Sequence, residues 1–252
     1  MPCFAFYGIV FSPVIGALVL QEVSLKLFKV FILISGFGFI FSVLFQSKEA
    51  ITCELIAFSD FDELQPDVYV DSTLGDVDRK NLLKVIIEGT KRVDSIYGKS
   101  ESSPRYIATK NEEYARYGLN LTGMHKTAFF RQCIFLGPRG LNTDVVAHEL
   151  VHAEVSYRAD FLTQLTKLPI WFIEGTGVKV DYRKPLLLNN IELDKSKVED
   201  IKKVFFSYNF SNTSIPSYQA SRLAIESIEP KLLYEGLERL NKGESFEDVF
   251  GK

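Results

Sequence analysis

Most of what the sequence predicts about this chain depends on the segment Val145-Val146-Ala147-His148-Glu149-Leu150-Val151-His152. It is preceded by Asn142-Thr143-Asp144, and residues of these types commonly cap the first turn of a helix. On a helix, side chains four positions apart lie on one face, so His148 and His152 are expected to point to the same place. Most of the remaining positions are apolar and suit a core. The segment therefore predicts a packed helix that presents two imidazoles together.

Two histidines and an intervening glutamate in the spacing H-E-x-x-H suit the binding of one metal ion. His148 and His152 would bind the metal, while Glu149 would stand beside it and take a proton from the attacking water. The chain has three histidines, and two of them fall in this motif. Its three cysteines form no C-x-x-C pair, which disfavours a cysteine-built zinc site. We therefore expect one Zn²⁺ ion, with Glu149 as the general base.

A third ligand is predicted in the later segment Pro169-Ile-Trp-Phe-Ile-Glu174-Gly175-Thr-Gly177. Pro169 suits the start of a helix, and Glu174 follows His152 by 22 residues. The two glycines after Glu174 would let neighbouring helices approach closely. A catalytic zinc has three protein ligands and one open position, and the two histidines with Glu174 would supply the three.

The combination of His148–His152 with Trp171-Phe-Ile-Glu174-Gly175 resembles the gluzincin pattern, which is H-E-x-x-H followed by W-x-x-E-G. Thermolysin-like and aminopeptidase N-type enzymes share this pattern, and the chain is most similar to the small bacterial domains of the peptidase MA-like group. The resemblance covers roughly residues 66–252 and implies a zinc metallopeptidase. The chain has no exopeptidase signature of the G-x-M-E-N type, so aminopeptidase activity is not implied.

The C-terminal part also resembles that group, because a helix led by Tyr218 is followed by a short helical end with a Phe-Gly pair at Phe250-Gly251. In aminopeptidase N-type enzymes, a tyrosine at the start of a later helix stabilises the oxyanion. The resemblance gives Tyr218 this role, for which a phenol donor is chemically suited. Tyr182 and Tyr208 are the alternatives.

Around these motifs, the spacing of apolar residues predicts an α+β fold. Helices are expected from Asp76 to Gly98 and over residues 111–117. The strands of a small mixed sheet are expected at residues 67–71, 103–109 and, as one strand or two, 127–136, with residues 46–65 irregular or a short strand. The sheet should pack on the helix that carries His148 and His152, and a helical C-terminal part should close the cleft.

The segment Cys133–Leu136 directly precedes the helix of the motif, so it is expected to be an edge strand that can pair with an extended substrate. Residues 131–139 would then line the cleft. Among other polar residues, His125 is expected in a loop, Glu154 at the surface or behind the ligands, and Asp181 within hydrogen-bonding reach of a ligand histidine.

The first 47 residues predict a hydrophobic leader before a domain at 48–252. Its apolar runs are Cys3–Leu20 and Val30–Phe45, and Lys26 and Lys29 precede the second run. Lysines before an apolar run are typical of an export signal or signal anchor. The leader could be a signal anchor, a signal peptide (with translation starting near Val23 or Leu25) or a transmembrane hairpin; a buried helical hairpin is the remaining alternative. We expect membrane attachment or export, with the domain outside the cytoplasm, in a bacterial periplasm.

Composition restricts the partners and the function. The chain is 46% hydrophobic with a net charge of −3 and has no basic stripe, so a nucleic-acid partner is not expected. Cys53 and Cys133 could form a disulfide if the domain is exported, or could be two separate buried thiols. The predicted function is a zinc hydrolase acting on peptide or protein substrates. The alternatives are a membrane-tethered, non-catalytic zinc domain that binds a peptide or cell-envelope partner, and a hydrolase acting on a non-peptide amide.

Overall fold

The structure is a computed structural model of the chain, and it describes residues 35–36, 48–117, 121–211 and 214–251. Lys48–Lys252 form one compact unit. Within the described ranges, no helix combines the length and apolarity needed to cross a membrane. The predicted leader lies almost entirely outside the described residues, so the expectations about it stay predictions.

The fold is α+β and contains a mixed sheet of five strands within the described residues. The order across the sheet is β1-β2-β3-β5-β4; β2, β3 and β5 run parallel, while β1 and β4 are antiparallel to their neighbours. All four residues of β3 and four of the five in β5 are buried, as expected for strands in the middle of a sheet. The strands are β1 (Asp62–Gln65), β2 (Val68–Val70), β3 (Arg105–Ala108), β4 (Gly123–Thr127) and β5 (Gln132–Leu136).

The sheet order corrects one expectation. The run at 127–136 forms the end of β4 and the whole of β5, joined as a hairpin, and β5 lies between β3 and β4. The segment Cys133–Leu136 is therefore not an edge strand, because both of its sides are paired. The edge strand on this side of the sheet is β4, which begins four residues before the predicted run.

Nine α-helices lie among the described residues from Lys48 onward. The helix predicted from Asp76 is confirmed and ends before Gly98, whose φ of 115° suits glycine. Residues 48–55 form a helix where irregular backbone or strand was expected. The helices are α1 (Lys48–Leu55), α2 (Asp76–Tyr97), α3 (Thr143–Arg158), α4 (Phe161–Thr166), α5 (Ile170–Lys179), α6 (Lys195–Lys202), α7 (Ile215–Ala224), α8 (Leu233–Asn241) and α9 (Phe246–Phe250).

Helix α3 is the centre of the core. Asn142 caps it by accepting a hydrogen bond from Val145 N at 3.1 Å, as the sequence predicts. Every residue from Val145 to Val155 is buried, because α3 contacts α2, α5, α8 and the strands β4 and β5. At Gly89 of α2, an added Cβ would lie 2.8 Å from Val146, so glycine is needed for the close approach of α2 to α3.

Glu154 is fully buried, which contradicts a surface position. Its carboxylate accepts hydrogen bonds from the main-chain N–H groups of Glu101 and Ser102 at 2.9 and 2.7 Å, and it pairs with Arg158 at 3.1 Å. It therefore holds the loop before β3 against α3, on the side of the helix turned away from the histidines.

Cys53 of α1 and Cys133 of β5 are joined as a disulfide, with their Cα atoms 6.2 Å apart. This resolves the pairing that the sequence leaves open. The disulfide attaches α1 to the sheet in a second, smaller apolar cluster that also contains Ile56 and Phe135.

Candidate metal centre

Helices α3 and α5 bring His148, His152 and Glu174 together. Nε2 of each histidine lies 3.5 Å from Oε2 of Glu174, and the three ligand atoms all lie within 4.8 Å of one another. The imidazole rings are 4.7 Å apart between centroids, as the spacing of i and i+4 on one helix face allows. Pro169 is the N-cap of α5, so the helix begins where the sequence predicts and carries Glu174 on the face turned to α3.

Two glycines of α5 let the site form. A Cβ added at Gly177 would lie 2.8 Å from Nε2 of His148, directly against the atom that faces Glu174. A Cβ at Gly175 would lie 2.6 Å from the main-chain oxygen of Ser221, so this glycine instead permits the packing of α5 on α7. Gly177 therefore leaves space for His148, and Gly175 leaves space for α7.

Two of the distances between these atoms are compatible with a bound metal ion, for which zinc serves as the example. Tetrahedral zinc with nitrogen and oxygen ligands at about 2.0–2.1 Å requires its ligand atoms to be about 3.3 Å from one another. The two distances of 3.5 Å between histidine nitrogen and carboxylate oxygen are close to this value. The buried His-His-Glu group could therefore hold a metal ion, and its nitrogen and oxygen donors suit zinc among several divalent metals.

Asp181 stands behind one of the histidines, on the far side from Glu174. Its buried Oδ2 is 3.4 Å from Nδ1 of His148, at ion-pair distance but without the geometry of a hydrogen bond. Arg183 Nε lies 2.9 Å from both oxygens of the same carboxylate. The sequence predicts the approach of Asp181 to a ligand histidine but not the contact of Arg183, for which the only signal is its position two residues after Asp181. Nδ1 of His152 has no hydrogen-bond partner among the described residues.

The charges around the histidines favour a cation at this place. Burial by itself lowers the pKa of His148, but the carboxylates of Asp181 and Glu174 outweigh burial and raise that pKa to about 10. Burial raises the pKa of Glu174, and the two histidines more than reverse this, so that its pKa falls well below the usual range. A proton or a metal ion can satisfy the same excess of negative charge.

Glu149 is buried beside the histidines, on the same helix. Burial raises the pKa of Glu149, while His148 and His152 partly oppose the increase. A Cβ at Gly123 of β4 would lie 3.0 Å from Oε1 of Glu149, so the strand passes close to this carboxylate. A carboxylate with a raised pKa next to a possible metal position can act as a base at neutral pH.

One cavity of about 420 Å³ is lined by the His-His-Glu group and by Glu149. Tyr218 lines it, with its ring centroid 6.2 Å from that of His148, and burial raises the pKa of the phenol so that it stays protonated. The alternatives lie outside this lining: Tyr182 lies against Arg92 and Tyr208 is exposed. Other lining residues include Thr122, Met124, Ser156, Ile173, Leu186 and Ile215.

The strand that borders the cavity is β4. Residues Thr122 to His125 line it, whereas the predicted lining segment 131–139 does not, because β5 is covered by β4. His125 lies on β4 and not in a loop, with Nε2 2.7 Å from Oε1 of Gln132. Burial lowers the pKa of His125 to about 3, so this imidazole is neutral at physiological pH. It is not part of the His-His-Glu group.

Comparison of the chain with protein-family models, curated proteins and solved structures gives no match in any of the three. What the site can do therefore follows from its own chemistry. It combines a group able to hold a metal ion, an adjacent carboxylate, a protonated phenol and the edge of a sheet around one cavity.

Proposed function

We propose that this chain is a zinc-dependent metallohydrolase of the gluzincin type that cleaves peptide bonds outside the cytoplasm. The observation that carries the proposal is the convergence of His148, His152 and Glu174 beside Glu149, in one cavity. A site that only stored zinc would have no need of a buried carboxylate next to the ligands. The disulfide between Cys53 and Cys133 supports an oxidising compartment.

In this proposal, His148, His152 and Glu174 would hold the zinc ion at the cavity. The ion, when bound, would supply Lewis-acid polarisation of the substrate carbonyl and of the attacking water. Glu149 accepts the proton of the water on its carboxylate and passes it to the leaving amine. Asp181 lies at ion-pair distance behind Nδ1 of His148 and would stabilise positive charge on that ring, and Arg183 holds Asp181 in turn.

Tyr218 is the proposed donor to the negative charge that develops on the substrate carbonyl oxygen. Its phenol stays protonated because burial, together with Glu174 and Glu149, raises its pKa. A donor that is placed in advance against developing charge typically contributes a factor of about 10²–10³ in kcat. The residue belongs to α7, which packs on α5, so the same helix pair positions the third ligand and the proposed donor.

The edge strand favours a peptide over a small amide as substrate. Among the described residues, β4 pairs with β5 alone, so its other side offers main-chain groups to an extended chain beside the cavity. A cavity of about 420 Å³ accommodates one or two side chains of such a substrate. The substrate class we propose is therefore an extended segment of a peptide or protein.

The test compares the wild-type protein with Glu149→Gln and Tyr218→Phe, and Tyr182→Phe serves as the matched control because Tyr182 lies outside the cavity lining. Bound zinc is measured on each protein, and cleavage of a mixed peptide library is followed by mass spectrometry. We expect all four to bind one zinc ion. Glu149→Gln should lose a factor of about 10²–10⁴ in cleavage rate, and Tyr182→Phe should cleave as the wild type does.

Two outcomes would oppose the proposal in different ways. If the wild type binds zinc but cleaves no peptide, the alternative of a membrane-tethered binding domain for a peptide or envelope partner is favoured. If neither the wild type nor Glu149→Gln binds zinc, the assignment of His148, His152 and Glu174 as ligands is wrong.

A further inference from the structure

Four exposed apolar side chains lie on two neighbouring segments of the domain, and we call them the tip patch: Leu55, Phe58, Phe129 and Phe130. Phe58 and Phe130 are 87% and 86% exposed, and Leu55 and Phe129 are 55% and 52% exposed. Leu55 and Phe58 lie at the end of α1 and in the 3₁₀ turn that follows it, while Phe129 and Phe130 form the turn between β4 and β5. Phenylalanines exposed to this extent on adjoining segments indicate a surface that is covered in use.

The two segments of the tip patch are held together by specific bonds. The main-chain N–H of Phe130 donates to Oε1 of Glu54 at 2.8 Å, and Arg131 lies 3.4 Å from the other oxygen of that carboxylate. The disulfide between Cys53 and Cys133 also joins these segments, because Cys53 lies in α1 and Cys133 lies in β5. The aromatic side chains are therefore presented on a fixed surface.

Two carboxylates next to the patch, those of Glu54 and Asp67, are paired with arginines. Arg131 pairs with Glu54 and with Oδ1 of Asp67, and Arg105 contacts the same oxygen of Asp67 at 2.7 Å. An apolar surface whose neighbouring carboxylates are paired is suited to the boundary between lipid headgroups and acyl chains. Asp60, exposed two residues after Phe58, would limit how deeply the patch can enter.

The covalent chain limits the distance between the patch and the predicted apolar leader. The apolar run Val30–Phe45 is separated from α1 by Gln46 and Ser47 alone. The step from Phe45 to Lys48 spans at most about 10 Å, and α1 is about 12 Å long. The end of α1 therefore lies no further than about 22 Å from the end of the apolar run, whatever the placement of the leader.

We infer that the tip patch is a membrane-contact surface, which inserts Phe58, Phe130 and their neighbours into the headgroup boundary of the bilayer that holds the segment before Lys48. The bilayer is the occupant that the sequence favours, since a membrane-anchored leader would keep the end of α1 within about 22 Å of the lipid. The inference rests on the predicted leader and is independent of the proposed peptidase activity.

The experiment uses the full chain reconstituted in liposomes and reads tryptophan quenching by lipids brominated in their acyl chains. Phe58→Trp and Phe130→Trp report on the patch, and Phe161→Trp on α4, 75% exposed in the structure, is the matched control. Trp171 is buried and is the chain's single tryptophan, so the wild type gives the background emission. A far-UV circular dichroism spectrum equal to that of the wild type shows that each variant is folded.

We expect emission from Phe58→Trp and Phe130→Trp to shift to the blue and to be quenched by the brominated lipid, while Phe161→Trp emits as in water. Quenching at the patch that is no stronger than at Phe161→Trp would overturn the inference. So would a blue shift without lipid quenching, which would indicate a protein partner, or failure of the full chain to float with the vesicles. None of these readings depends on zinc or on cleavage.

Discussion

Gly177→Ala is expected to weaken zinc binding more than it weakens the fold. The added Cβ would lie 2.8 Å from Nε2, 2.9 Å from Cδ2 and 3.1 Å from Cε1 of His148. Ordinary contacts of a Cβ begin at 3.4 Å, so the ring or the helix must move by about 0.6 Å. Ligand distances in a metal site are held to about ±0.2 Å, which makes this displacement about three times the tolerance.

We expect the dissociation constant for zinc to rise about 10- to 100-fold, a loss of about 1.4–2.7 kcal/mol of binding free energy. The cost in folding is smaller, because alanine gains up to about 1 kcal/mol over glycine in a helix and this offsets part of the steric strain of about 1–3 kcal/mol. Zinc affinity is measured by competition with a chromophoric chelator, and stability by urea unfolding in EDTA.

The control is Gly175→Ala, on the same helix two residues away. Its Cβ would lie 2.6 Å from Ser221 O and 2.7 Å from Ile225 Cγ2 on α7, but it touches no proposed ligand. It should lower stability by about 1–3 kcal/mol and leave zinc affinity near that of the wild type. If both substitutions weaken zinc binding by the same factor, or if Gly177→Ala does not weaken it, the ligand geometry described above is wrong.

Three further changes test other parts of the structure. Asp181→Asn removes a carboxylate that raises the pKa of His148. The zinc affinity of the wild type should increase steeply from pH 7 to 9, because His148 loses its proton, and the zinc affinity of the variant should change less over the same range. Zinc titrations at each pH measure both. Glu154→Gln breaks a buried ion pair and should cost about 3 kcal/mol in urea unfolding without a change in zinc affinity; a shift below about 1 kcal/mol would contradict its structural role. Replacing Cys53 and Cys133 together by serine opens a loop of 80 residues and should cost about 4 kcal/mol, and its unfolding midpoint, unlike that of the wild type, should not respond to dithiothreitol.

Local rules explain the features that could be predicted from the sequence. The helix of His148 and His152 begins at its predicted cap because capping and the i, i+4 spacing depend only on neighbouring residues. The helix from Asp76 and the strands near residues 68 and 105 follow from periodicity in the same way. Local rules do not predict the position of Glu174, because it lies on a different helix from the histidines. It was predicted from the W-x-x-E-G motif and from the resemblance to gluzincins.

The edge strand, the burial of Glu154 and the disulfide depend on contacts between distant segments, about which local sequence patterns carry little information. Two strands in sequence order do not reveal which of them is at the edge, and β4 proved to be outside β5 because β5 pairs in parallel with β3. Glu154 is buried because a loop some fifty residues earlier supplies its hydrogen-bond donors. The pairing of Cys53 with Cys133 likewise requires α1 to lie on the sheet.

The sequence by itself determined the candidate chemistry of this protein: two imidazoles on one helix face, a glutamate between them, and a third acid in a segment built to pack closely. The tertiary structure alone decided how those groups are supported and approached. It placed Asp181 behind His148, the free edge of β4 beside the cavity, and Tyr218 rather than Tyr182 or Tyr208 in its lining. The physical reason is that helix geometry is encoded within a few residues, whereas the surroundings of a site depend on contacts between segments far apart in the chain.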